Sequence, residues 1–160
     1  MLATSSTTSR DMSLELEKDF SLDENTLCKK TNVTFRIVGP EIAPNEITEA
    51  LGVEPSKAFA KGENYQTKRS GIRQRPIGHW SITTEGLIDS TSVERHALKL
   101  LELLDSENDA LRSLQENEDC RLSVIVWWEA LEGHGGYTLT SATLQRLSAL
   151  CEDIDFQFIS

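Results

Sequence analysis

The sharpest alternation in the chain runs through residues 122–128. Leu122, Val124, Val126 and Trp128 take turns with Ser123, Ile125 and Trp127. A period of two predicts a strand, and apolar residues on both sides of its middle predict a central place in a sheet. NVTFRIVG repeats the pattern more simply, with Val33, Phe35 and Ile37 on one side and Thr34 and Arg36 on the other. IGHWSITTEG directs Trp80 and Ile82 one way and His79, Ser81 and Thr83 the other. DIDFQFI closes the chain as a strand with Ile154, Phe156 and Phe158 together. SKAFAKGENY reads as a short edge strand, and the glycine-containing basic segment after it as a long connection.

The helical signals fall between these strands. In PNEITEALG, Ile47, Ala50 and Leu51 share a face, Pro44 suits the first turn, and Gly52 is placed to close the helix in a left-handed cap. Thr91 to Glu94 has the spacing of a capping box ahead of a face built from Val93, Ala97, Leu100, Leu101 and Leu104. A break near 105–108 is followed by a turn or two carrying Leu111 and Leu114. Thr140 is placed to cap the last helix, with Leu139 and Leu144 spaced as a hydrophobic staple.

The element order is therefore β-α-β-β-α-β-α-β. It predicts an α+β fold, a mostly antiparallel sheet with helices packed on one face, with a ferredoxin-like core and an extra αβ unit. The domain is expected to occupy residues 31–160. Residues 1–30 read as a disordered tail, because Leu14, Leu16 and Phe20 follow no sustained period and the rest is polar. Met12 is a second candidate start. Trp80 and Trp128 are assigned to the core. The uncovered sheet face is expected to show Arg36, His79, Ser81, Thr83, Ile125, Trp127, Glu129, Asp155 and Gln157, and is the best candidate contact surface.

Charge sharpens this picture. The chain carries a formal −10, which argues against a duplex-DNA reader. Yet six of its sixteen basic residues, Lys57, Lys61, Lys68, Arg69, Arg73 and Arg75, lie between positions 57 and 75 against one acid, Glu63. The readings of that window are a solvated or self-paired loop, a contact for an acidic protein or small anion, and, least favoured, a nucleic-acid arm. No apolar run approaches the length of a membrane span. Cys28, Cys120 and Cys151 lie far apart and read as reduced thiols of a cytosolic protein.

Candidate chemistry is sparse. Glu129, Glu132 and His134 lack the further close ligand a metal requires, so no metal and no cofactor is expected. EGHGGY lacks the Gly-Lys-Ser/Thr of a phosphate loop and reads as a glycine-rich turn. His134 has no assigned nucleophile, and no catalytic residue is named.

Taken in order, FRIVGPEIAPNEITEALGVEPSKAFAKGE, GHWSITTEG, VERHALKLLELL, GGYTLTSATLQRLSAL and DIDFQFI resemble the bacterial domain-of-unknown-function family numbered 4279, over about residues 32–159. The resemblance implies a compact bacterial α+β domain and carries over no catalytic residues. The reading that results is a non-enzymatic, cytosolic protein-interaction module, with an immunity-type inhibitor of a toxin as one form of it. Another protein is the expected partner, without a membrane or nucleic acid, and a homo-oligomer is left open. Candidate contact residues are Trp127, His79, Arg36, Lys68, Arg69, Arg73, Arg75, His134 and Tyr137. The alternative is a small-ligand or hydrolytic domain using the open face and the turn at His134.

Overall fold

The computed structural model describes residues 22–104 and 108–160. The expected tail, apart from its last nine residues, and most of the expected break near 105–108 lie outside the described residues. The fold is α+β. Strand β1 (Cys28–Gly39) is followed by helix α1 (Pro44–Leu51), strand β2 (Lys57–Phe59), the hairpin strands β3 (Asn64–Thr67) and β4 (Gly71–Gln74), and strand β5 (Gly78–Thr83). Helices α2 (Val93–Leu103) and α3 (Asp109–Glu116), strand β6 (Arg121–Ala130), helix α4 (Ser141–Ser148) and strand β7 (Asp153–Ile159) complete it.

Five strands form one open sheet in the order β2-β5-β1-β6-β7. Strand β1 lies in the middle and pairs antiparallel with β5 and with β6. Among the described strands only β6 and β7 run parallel, joined through α4. These two strands are direct neighbours, whereas a split βαβ unit separates its parallel strands by a third. The connectivity departs there from the ferredoxin-like arrangement.

One face of this sheet is committed to the core. Val33, Phe35, Ile37, Trp80, Leu122, Val124, Val126 and Trp128 are fully or almost fully buried, as their alternation requires. Against them pack Ile47 of α1, Val93, Ala97, Leu100 and Leu101 of α2, Leu111 of α3 and Leu147 of α4. The indole N–H of Trp80 donates to Thr48 Oγ1 at 3.0 Å, so this large ring enters the core without orphaning its donor.

Local signals set several boundaries. Gly52 closes α1 with φ 68°, a conformation that penalises any side chain with a Cβ. Thr140 caps α4 by accepting the Thr143 N–H. The capping box at Thr91 is corrected. Ser92 is the N-cap and accepts from Arg95 N–H at 3.2 Å. Thr91 is occupied elsewhere, donating through both N–H and hydroxyl to the Glu24 carboxylate. Glu94 does not turn back to its own helix start. Its buried carboxylate accepts from Thr140 N–H and from the hydroxyls of Thr140 and Thr143, which fastens α2 to the start of α4. The hydrogen bonds of Glu24 and the pairing of Cys28–Lys30 also show that the fold engages residues within the span 1–30 that reads as tail.

Two further features depart from the pattern. The basic connection contains a hairpin, β3–β4, whose short strands are too exposed to carry an apolar alternation. Phe156 and Phe158 sit on the helix side of β7 yet remain 51% and 48% exposed, because β7 is the edge strand and has one neighbour.

His96 is buried with both ring nitrogens engaged, Nδ1 with Thr84 Oγ1 at 2.7 Å and Nε2 with the Ser90 carbonyl at 2.8 Å. Burial holds its pKa below the ordinary 6.5. As pH falls, the unfolded chain therefore takes up this proton first, so stability is full above about 6.5 and is lost progressively below it. The urea midpoint should fall between about pH 7 and pH 5.5, and the fall should be shallower in His96→Gln. An unchanged slope in that variant would assign the acid sensitivity to other groups. Trp80→Ala should cost about 3–5 kcal/mol in chemical denaturation, the usual range for emptying a buried aromatic site.

Candidate functional site

Among the described residues no helix lies on the sheet's second face, and register fixes what that face displays. Lys57 lies opposite Ser81, Ser81 opposite Arg36, Arg36 opposite Ser123, and Ser123 opposite Asp153. This row crosses all five strands. Residues facing one another in adjacent strands are roughly 5 Å apart, so Arg36 and Lys57 flank Ser81 on one small patch. The next row places Phe59 opposite His79 and His79 opposite Val38, which faces Arg121. On the other side, Thr83, Thr34, Ile125 and Asp155 form a row, and beyond it Asn32, Trp127 and Gln157. The predicted open-face residues share this surface.

The hairpin joins the patch through stacking. Phe59 lies on the His79 ring, with centroids 5.0 Å apart and planes within 16°. On Phe59 sits the Arg75 guanidinium, 4.0 Å from its centroid and 3.9 Å from that of Tyr65. Arg75 is thus held between two rings, an arrangement that fixes its plane and leaves the in-plane N–H donors to the side. The ammonium of Lys57 approaches the same Phe59 ring at 5.7 Å. Glycine and side-chain bonds shape the hairpin tip, where Thr67 Oγ1 accepts from Ser70 N–H and Gly71 has φ 75°.

The two ends of this face differ in charge compensation. Near Trp127, Lys30 pairs with Glu85, Lys29 Nζ lies 2.7 Å from Glu129, and the Lys30 ammonium also covers the indole at 5.7 Å. Arg121 is paired with Asp153 at 2.8 Å. Arg36, Lys57 and Arg75 have no carboxylate within ion-pair distance among the described residues. Arg36 Nε donates to Ser123 Oγ at 3.2 Å. Burial, followed by the charges of Lys57, Arg36 and Arg75, lowers the His79 pKa. Three uncompensated cations therefore share one corner of a chain whose formal charge is −10.

The candidate contact residues divide accordingly. Arg36, His79 and Arg75 come together. Trp127 shares their face but lies opposite Asn32, four residues along β1 from Arg36, roughly 13 Å away. Lys68, Arg69 and Arg73 are exposed on the hairpin, which extends from the corner and makes no ion pair with the acidic helices among the described residues. Tyr137 belongs to the covered side, its ring 6.1 Å from that of Trp128. His134 is exposed in the turn beyond β6. There Gly135 serves packing, since a Cβ on it would lie 2.9 Å from the Trp128 ring. His79 pairs with Val38 and Trp128 with Thr31, seven residues apart on β1. His79 and the His134 turn thus stand roughly 24 Å apart along the sheet, too far for a shared pocket. Phe59 and Tyr65 are not among the expected contact residues, and Lys57 enters the sequence analysis only as a member of the basic window. No periodicity joins the three, and between Phe59 and Tyr65 the chain carries one base and one acid, Lys61 and Glu63.

One base and hydroxyl do meet, His79 Nε2 and Ser81 Oγ at 2.9 Å. Among the described residues no carboxylate bonds to the ring's other nitrogen, so the orienting third member of a catalytic triad is missing. Likewise, no group of three His, Cys, Asp or Glu side chains is placed to hold a metal among the described residues. No described helix is long and apolar enough to cross a membrane.

The family model of DUF4279, a domain of unknown function, matches residues 29–159, and the chain belongs to that family. No curated protein and no solved structure matches it.

The stacking separates Arg75 from its neighbours. Arg75→Ala should destabilise the protein by about 0.5–2 kcal/mol and speed amide exchange across residues 62–75, since each cation–π contact is worth that order. Charge reversal at Lys68, Arg69 and Arg73 should change stability by no more than about 0.5 kcal/mol, as exposed substitutions usually do.

Proposed function

We propose that this DUF4279 domain is a non-enzymatic binding module that recognises another protein through its uncovered sheet face, seating an acidic segment on Arg36, Lys57 and Arg75. The observation that carries the reading is the grouping of these three cations, without carboxylate partners among the described residues, on the sheet face that no described helix covers. Elsewhere on this sheet the cations Lys29, Lys30 and Arg121 are each paired with a carboxylate. Leaving Arg36, Lys57 and Arg75 together favours an external anion, whose approach they would steer. The stacked guanidinium of Arg75 is already ordered, which lowers the entropy cost of gripping a carboxylate.

An immunity-type inhibitor is the narrower form of the proposal. In that form the acidic remainder of the surface meets a basic toxin while the corner fixes orientation. Three free thiols favour a reducing compartment, and a bacterial cytosol is the location proposed. The hydrolytic reading keeps one supporting observation, the His79–Ser81 pair. Labelling by a serine-directed fluorophosphonate that disappears in Ser81→Ala would favour it.

The test is affinity capture with immobilised protein from native lysate, comparing wild type with the Arg36→Gln, Lys57→Glu double variant and with Arg112→Glu on α3. A stoichiometric protein should be retained by wild type and by Arg112→Glu and lost from the double variant. With the purified partner, the loss should appear mainly in the association rate and shrink as salt rises. Equal retention by all three proteins, or a salt-independent effect, would falsify the assignment of this corner.

A further inference from the structure

We infer that β7 pairs antiparallel with β7 of a second copy, extending the five-stranded sheet into a continuous ten-stranded one. The strand ends the sheet, so among the described residues its outer row of backbone groups meets no other strand. The opposite end is treated differently, since β2 has three residues and gives way at once to the hairpin. Strand β7 has seven residues, no proline and no bulge in its pairing with β6. Such an edge invites pairing unless something blocks it.

The side chains show what would pair with it. In DIDFQFI, Ile154, Phe156 and Phe158 face the helix side, while Asp153, Asp155, Gln157 and Ile159 face the open side. A two-fold axis through Phe156 sets Phe156 against its own copy and Ile154 against Phe158 of the other chain. On the open side it sets Asp155 against Gln157 and Asp153 against Ile159. No carboxylate then faces a carboxylate, and every helix-side pair is apolar, the combination that favours cross-strand association. Centring the axis on Asp155 instead would oppose two like charges. The sequence of this strand is self-complementary about Phe156, a property that an edge serving a foreign strand does not require.

Exposure supports the same occupant. Phe156 and Phe158 are half exposed, and Phe158 already stacks on Trp128 at 4.8 Å, so its ring is held in place with its outer side open. Leu144, on the α4 helix that packs beside β7, is 37% exposed. Strand pairing alone buries less than the roughly 1,000 Å² expected of a stable interface. The two α4 helices, brought side by side over the extended sheet, add the remainder through Leu144 and the two phenylalanines. This dimer uses the edge of the sheet farthest from Lys57 and is independent of the proposed binding corner.

Light scattering coupled to gel filtration, over a concentration series, should give a dimer for the full chain. Phe156→Lys, which sets two ammonium groups against each other at the axis, should give a monomer with an unchanged circular dichroism spectrum. Phe156→Cys should form a covalent dimer on mild oxidation, since residue 156 faces its own copy. Wild type and Phe158→Cys, treated alike, should not. A monomer at every concentration overturns the inference, as does a dimer that survives Phe156→Lys. Efficient cross-linking of Phe158→Cys in place of Phe156→Cys overturns the register.

Discussion

Everything in this fold follows from the position of β1. It has a neighbour on each side, so neither edge is free, and between Asn32 and Ile37 its residues alternate between an apolar side, Val33, Phe35 and Ile37, and a polar one, Asn32, Thr34 and Arg36. A shift of one residue against either neighbour would turn Val33, Phe35 and Ile37 out of the core and bring Thr34 and Arg36 into it. The register with β5 and β6 is therefore fixed by burial, and with it the assignment of helices to one face. The same alternation that buries Phe35 against Trp80, 6.4 Å away and nearly edge-on, presents Arg36 to solvent on the reverse. Core and candidate site are two sides of one strand.

Around that sheet, the helices are held by polar contacts as well as by packing. Glu94 accepts three hydrogen bonds from the start of α4, which makes a buried carboxylate affordable only because its acceptors are filled. Thr84 does similar duty at the far end of β5, accepting the Val33 N–H while its hydroxyl also meets His96. Removing one member of such a group leaves the others buried and unpaired, a larger loss than the bond itself. Polar residues thus specify how the helices sit on a surface that apolar contact alone would leave loosely defined.

The open face shows the reverse logic. Its Trp127 end is closed off electrostatically, since Lys29 and Lys30 are each paired with an acid. Its Arg36 end keeps its cations, and the hairpin adds another by stacking rather than by ion pairing. Surface ion pairs contribute little to stability, so neither arrangement matters much to folding. The difference lies in the field each end presents to an approaching molecule.

Periodicity made the sheet legible. The alternations at residues 33–37, 80–82 and 122–128 named core residues, separated Trp128 from Trp127, and placed Arg36, His79, Ser81, Ile125 and Trp127 on the open face. Helix ends written in local chemistry, Pro44 with Gly52 and Thr140 with Thr143, were equally readable, because a cap acts within a few residues of the chain. What lay beyond the sequence was set by contacts between distant residues. Glu94 could be assigned to its own helix or to a partner 46 residues away, and Thr91 was displaced as a cap by Glu24, 67 residues before it. Phe59, Tyr65 and Arg75 belong to no common period, and only the folded hairpin stacks them beside His79. The half-exposure of Phe156 followed from strand order, which alternation does not encode. The chain's own pattern determined which side of each strand is buried, because that choice is made every two residues. Tertiary structure alone decided which charges remain unpaired and which edge remains open, because both depend on what the rest of the chain brings alongside.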